Sequence, residues 1–440
     1  MKEKFVKNSF KVINNATTLI NEDFIIDPWI YGSLYNNSWS PYPKPSFDKK
    51  KLKKTKFCFI SHIHQDHWDL DTIKYFNKNI IFFIPNLIFN KVIENTLKKK
   101  GYYNIVYLQF KKFHKISNNY RISVVPPLNT NALETDKIDK KDSGAIAIDT
   151  GIIVNFLKDN SNHLILTDNS PYDLKIYKKY FDKIRIDSVF FPYNGFAQDY
   201  PLCYDNFSLN EKKKISKKMC LKKEKYLIKF LKYLRPKVVI PHSSDFQLNI
   251  RSKLFEKIHS KTFLNKDLYS QRINKITGIK SYPLYSKDTL YFSKKNFFAD
   301  IKSTLKDKKN RLKKRKLSFP KIHKNKNFIE LLKICLVKYS ERLKKYKLDI
   351  EKIINCNFLI KIDKKNYFIN LKKMEISINP NFKKKNLIIL KTRQDIAQAI
   401  LERKIHINNA VIACYLNWNR YPKNYLTTKN LYESLSFLHI

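Results

Sequence analysis

The stretch Phe57-Cys58-Phe59-Ile60-Ser61-His62-Ile63-His64-Gln65-Asp66-His67-Trp68 decides how this chain is read. Four apolar residues run into a dense polar cluster. Such a run predicts a buried strand that ends where the polar residues begin. His62, His64, Asp66 and His67 then fall close together in a chain with 10 histidines. Imidazole nitrogen and carboxylate oxygen are the ligands that Zn²⁺ and related divalent ions take at catalytic sites. Alternate residues of an extended chain point the same way, so His62, His64 and Asp66 can converge. His67 can turn to the other side of the same pocket. The spacing suits two adjacent metals, with His62 and His64 on one and Asp66 and His67 on the other. The competing reading is a polar loop whose histidines are merely neighbours.

Ser61-His62-Ile63-His64-Gln65-Asp66-His67 resembles the H-x-H-x-D-H signature of the metallo-β-lactamase superfamily. The resemblance implies an α/β fold, a four-layer αββα sandwich with a metal site at one edge. Two further stretches look like parts of that pattern. His163-Leu164-Ile165-Leu166-Thr167-Asp168 ends in an aspartate like the family's metal-bridging carboxylate. Val238-Val239-Ile240-Pro241-His242 ends in a histidine like the late ligand of the second metal. Asp27, after the strand-like Asp23–Ile26, takes the place of an aspartate that supports the metal loop through hydrogen bonds. Many relatives carry a histidine near the first turn, where this chain has Asn15. The family's third histidine of the first metal is also missing: none stands between His114 and His163. Asn129, Asp136, Asp139 and Asp142 are the oxygen-bearing candidates for that place. His114 and His163 read as structural or surface residues.

A narrower resemblance rests on Asp27 to Pro41 and on the loop Tyr193 to Tyr204. Both look like the metallo-β-lactamase-like part of CMP-N-acetylneuraminate hydroxylase and its bacterial relatives. Those relatives oxidise a nucleotide-sugar with a Rieske iron–sulfur domain, which needs Cys-x-His and Cys-x-x-His pairs. This chain has no such pair, and its cysteines are scattered.

The formal charge of +49 is extreme. Lysines outnumber arginines, asparagine and isoleucine are abundant, and glycine is scarce, which fits an AT-rich genome. The lysines are spread along the chain, so they read as solvated surface that can steer anions, not as a specific nucleic-acid site. The interval from Asp168 to His242 is too short for the insert of RNA-processing members of the superfamily. There is no apolar leader and no stretch long enough to span a membrane. A cytoplasmic protein with reduced thiols is the simplest reading.

The organisation expected is a metallo-β-lactamase-fold domain over 1–300, a basic linker over 301–326 and a smaller α+β domain over 327–440. The order of elements in the last domain resembles a sterol-carrier-type module. His406 there is expected to cap or pack.

The function expected is metal-dependent hydrolysis of an ester, lactone, amide or phosphoester, with a sugar or nucleotide-sugar as candidate substrate. One or two divalent ions are implied, zinc first, with manganese or iron as alternatives. His62 and His64 would hold one; Asp66, His67 and His242 the other; Asp168 would bridge; and Asp66 would orient the nucleophile or take its proton. Two other classes stay open: the metal-binding component of a hydroxylase-like system with a separate Rieske protein, and a non-catalytic binding protein. A homo-oligomer is also left open.

Overall fold

The structure is a computed structural model. It describes residues 8–440 apart from 88–89, 129–147, 172–173, 194–198, 294–295, 313–315, 320–326, 346–356, 363–364, 372, 381–385, 424–434 and 436–437. Asn129, Asp136, Asp139 and Asp142 therefore lie outside the described residues.

Two sheets form the centre. One orders its eight strands as Asn296–Asp300, Thr289–Ser293, Asn8–Asn14, Thr17–Ile20, Phe24–Ile26, Phe57–Phe59, Ile81–Pro85 and Ile105–Leu108. The other orders seven as Lys280–Ser281, Val238–His242, Ser188–Pro192, Ser161–Ile165, Gly151–Phe156, Tyr120–Val125 and Phe113–Lys115. Each sheet is part parallel and part antiparallel.

The strands are apolar on both faces because both faces are covered. Phe57 and Phe59 point into a core shared with Ile122, Val154, Phe190 and Ile240 of the other sheet. Cys58 and Ile60, half a pleat away, join Ile73, Ile93 and Leu97 of the helices on the outside. On the far side Leu227 and Phe230 of the helix Leu209–Leu234 pack with Ile153 and Val189. Helix, sheet, sheet, helix is the four-layer sandwich expected. The long helix starts three residues before the Lys212 that marks it in the sequence. Ser208 and Glu211 form a capping box there, satisfying two free amides.

The C-terminal segment folds around its own sheet, ordered Glu375–Ile378, Lys365–Asn370, Asn357–Ile362, Leu387–Thr392 and Asn417–Tyr421. Helices Phe328–Lys345, Gln394–Leu401 and Ile407–Ile412 accompany it. Its core is continuous with the outer layer of the sandwich, because Leu332, Ile388 and Trp418 belong to the same cluster as Leu227. His406 caps the helix Ile407–Ile412, accepting from the Asn408 amide at 3.2 Å, as expected. The basic stretch after Asp300 is not a bare linker where it is described. Helix Leu305–Lys309 is held by Lys308 to Asp267 at 2.6 Å and by Lys287 to Asp307 at 2.8 Å.

Candidate metal centre

The strand Phe57–Phe59 stops because Ser61 leaves the ladder. Its amide donates to Asp27 Oδ1 at 2.7 Å and its hydroxyl to Asp27 Oδ2 at 2.7 Å. Asp27 sits at φ 46°, a left-handed turn at the end of the adjacent strand that aspartate tolerates. The turn aims its fully buried carboxylate at the loop. Asp27 Oδ2 also accepts from His67 Nδ1 at 2.7 Å. With its proton given to Asp27, the Ser61 hydroxyl accepts from His62 Nδ1 at 2.8 Å. One carboxylate thus fixes the Nδ1 side of two imidazoles, His67 directly and His62 through Ser61, and aims Nε2 of each away from it.

Those Nε2 atoms face a common space. His62 Nε2 lies 2.8 Å from His64 Nδ1 and 3.6 Å from Asp149 Oδ1. His67 Nε2 lies 3.3 Å from Asp66 Oδ2 and 3.3 Å from Asp168 Oδ2. Two sets of three are spaced to hold a cation: His62, His64 and Asp149; and His62, His67 and Asp168. Asp66 is fixed by Tyr35, whose hydroxyl donates to Oδ1 at 2.7 Å, and by Asn15, whose amide donates to Oδ2 at 3.1 Å.

The strand ends are tied together. Thr150 donates to the Ser61 carbonyl at 2.8 Å, and Thr167 to the Thr150 carbonyl at 2.7 Å. Gly151 permits this approach: a Cβ there would meet the Ile165 carbonyl at 2.9 Å. Asp149 and Asp168 are thereby brought to neighbouring positions.

The electrostatics ask for positive charge. Burial opposes a charged His67, but Asp66, Asp168 and Asp27 outweigh it and push its pKa well above the ordinary value. Burial, then His67 and His64, hold His62 well below it. Burial pushes Asp149 up to about 6, with His64 pulling down and Asp168 up. His67 Nε2 is buried and makes no hydrogen bond. Among the described residues no Lys or Arg pairs with Asp27, Asp66, Asp149 or Asp168, in a chain with 87 basic residues. Imidazole and carboxylate donors in such a cluster of acids without a Lys or Arg partner fit a divalent cation.

The structure brings together His62, His64, Asp66, His67 and Asp168, with Asp27 beneath them. It does not bring in His242. That ring is turned toward the first sheet, with Nε2 2.9 Å from the Ala16 carbonyl and 3.1 Å from Thr18 Oγ1. Its Nδ1 is 2.7 Å from Ser243 Oγ. Three residues escaped the sequence reading. Asp149 follows the apolar Ala145–Ile148 run, a carboxylate at a strand mouth like Asp168. Tyr35 lies in the aromatic loop whose role was open. Asn15 was noted only for not being a histidine.

The motif loop leaves a central strand at one edge of an αββα sandwich, with Asp149 and Asp168 offered by the second sheet. The chain has the metallo-β-lactamase fold. No family model matches the sequence. Proteins from two strains of Mycobacterium tuberculosis, named as Rieske 2Fe–2S iron–sulfur proteins, are 24% identical over 183 residues. That match covers 41% of this chain and spans 32% of the length of those relatives. Among solved structures, a proposed metal-dependent hydrolase from Veillonella parvula is 14% identical at a TM-score of 0.41, covering 64% of this chain and 99% of that one. Isothiocyanate hydrolase from Delia radicum gut bacteria is 15% identical at 0.43, covering 65% and 99%. A metallo-β-lactamase-fold protein of Bacillus subtilis is 10% identical at 0.37, covering 67% and 100%.

Proposed function

We propose that the chain is a metal-dependent hydrolase holding one or two divalent ions. His62, His64 and Asp149 would hold one; Asp66, His67 and Asp168 the other, with Asp168 as bridge. The observation that carries this reading is the buried His67 Nε2, without a hydrogen bond and flanked by two carboxylate oxygens at 3.3 Å. Zinc suits the nitrogen and oxygen donors, and manganese or iron can use them too. When bound, such ions supply a hydroxide at neutral pH and polarise the attacked carbonyl or phosphoryl oxygen. The chain's own residues do the rest. Asp27 and Ser61 hold Nδ1 of His67 and His62, so that Nε2 of each is aimed inward. Asp66, steadied by Tyr35 and Asn15, orients a water or takes its proton. The substrate class is an ester, lactone, amide or phosphoester, with anionic sugars or nucleotide-sugars favoured by the basic surface. Residues 1–300 would form the catalytic domain, 301–326 the connection and 327–440 the accessory domain.

The test is metal analysis of the full chain after reconstitution with zinc, manganese or iron, followed by a screen of esters, lactones and phosphodiesters. One to two ions per chain are expected, with turnover that chelation removes and metal restores. Asp149→Asn should weaken one ion by about tenfold or more and spare the other. No bound transition metal after reconstitution would sink the proposal.

A second reading follows from the match to proteins named as Rieske iron–sulfur proteins. The chain would be the metal-binding component of an oxygenase that draws electrons from a separate iron–sulfur protein. Turnover that needs no reductant or oxygen eliminates it.

A further inference from the structure

Between the sandwich and the C-terminal sheet lies an open cleft of about 390 Å³. Small-molecule sites run to roughly 300–1,000 Å³. Arg251, Lys361, Lys391 and Arg393 line it, and no carboxylate does. Beside the cleft, Lys391 reaches Asp205 at 3.3 Å and Arg393 pairs with Asp395. Arg251 bonds the Asn417 side-chain oxygen. Among the described residues no ion pair involves Arg251 or Lys361. Four cations against two carboxylates leave a surplus of two positive charges. A phosphate monoester carries about −1.5 to −2 near neutral pH and offers three acceptor oxygens.

The cleft also has an aromatic wall. Phe319 meets Tyr415 edge-on with centroids 4.8 Å apart, and Arg393 lies 5.2 Å over Phe319. The basic composition of the chain does not by itself produce this lining. A cleft of about 400 Å³ elsewhere on the molecule sets Arg121, Lys183 and Arg185 among Asp159 and Asp187.

We propose that the inter-domain cleft binds a phosphate monoester carrying an aromatic group. The cations take the phosphate, and Phe319 and Tyr415 take the ring. Tyr415 connects the cleft to the metal centre. Its hydroxyl donates to the Tyr35 carbonyl at 2.8 Å, and the Tyr35 hydroxyl donates to Asp66 at 2.7 Å.

The probe is phenylphosphonate, whose P–C bond a hydrolase leaves intact, titrated calorimetrically into the full chain before and after chelation. Saturable binding is expected, tighter than that of methylphosphonate and unchanged by chelation. Lys361→Ala combined with Arg393→Ala should weaken it by about tenfold or more, the loss of charge-assisted contacts. Both residues are exposed, and a thermal melt checks that the variant is folded. The proposal is overturned by absence of saturable binding, by equal affinity of the double variant, or by loss of binding on chelation. It is also overturned if methylphosphonate and sulfate bind as well as phenylphosphonate, which would be generic attraction to a basic surface.

Discussion

His67, in the turn after the strand Phe57–Phe59, and His163, within the strand Ser161–Ile165, are both fully buried imidazoles of the same sandwich, and their surroundings are opposite. His163 lies between the sheets, its centroid 4.8 Å from Phe10 and 4.9 Å from Phe156 and Phe292. Ser161 and Ser188 hydroxyls satisfy its nitrogens at 3.1 and 2.8 Å. Burial alone drives its pKa down to about 3. His67 has one nitrogen answered by Asp27 and the other left facing carboxylates. The protein completes one histidine itself; under the proposed function a cation completes the other. By this measure His242 belongs with His163: its nitrogens are engaged, and burial first of all lowers its pKa to about 3.

The sharpest way to break the contrast is His67→Ala. Partners outside a coordination sphere are commonly worth about 10–100-fold in metal affinity, so losing a ligand should cost at least about a hundredfold. Competition with a chromophoric chelator measures it. Retention of both ions at full affinity would place the metal elsewhere.

The next effect is on stability. Below pH 6.5 the unfolded chain protonates residue 163, while the folded protein keeps it neutral down to about pH 3. The stabilisation is present above pH 6.5 and is lost as pH falls toward 3. At pH 5 the loss is about 2 kcal/mol from this one group. His163→Leu should therefore lose less stability between pH 7 and pH 5 than the parent, by denaturant unfolding. Parallel curves for the two proteins would show that His163 does not carry this dependence.

The fold was legible because its evidence is local. Phe57–Ile60 is apolar on both faces, as a strand between two covered layers must be, and His62 to His67 follow at once. Asp168 was legible as an acid closing an apolar run. Asp149 was not, because the motif it would complete has a histidine in that region and this chain has none. Its approach to His62 depends on Gly151 lying against Ile165 and on the Thr150 and Thr167 hydrogen bonds, contacts between residues distant in sequence. His242 shows the converse. Its strand and its place at the strand end were correctly read, but the direction of the ring is set by Ala16, Thr18 and Ser243, which no motif encodes. Tyr35 and Tyr415 share this property, since their contacts join segments 380 positions apart in sequence.

A smaller effect tests how Asp66 is held. Tyr35→Phe removes one hydrogen bond to its carboxylate and keeps the ring packed against Trp39 at 5.2 Å. Metal affinity on the His67 side should fall by about tenfold, the low end for a supporting partner, with the His64 side unaffected. An equal loss on both sides would mean that the change disturbs the loop as a whole.

The smallest expected effect separates this chain from the metallo-β-lactamase pattern that its motif resembles. If His242 is finished by Ala16, Thr18 and Ser243, it contributes nothing to the cation. His242→Gln preserves an amide that can donate to the Ala16 carbonyl, so the sheet end should stay closed. Metal affinity should then change by less than about twofold, well under the tenfold that 1.4 kcal/mol represents. A hundredfold loss would mean that the ring turns onto the metal when an ion is bound, breaking its hydrogen bond to Ala16. In that event the His67 side would have the family's late histidine after all, and only His163 would remain as an imidazole the protein completes by itself. The two outcomes differ by about two orders of magnitude in one titration. His163→Leu serves as the control, because the residue lies between the sheets and away from the metal centre, so metal binding at pH 7 should be unchanged.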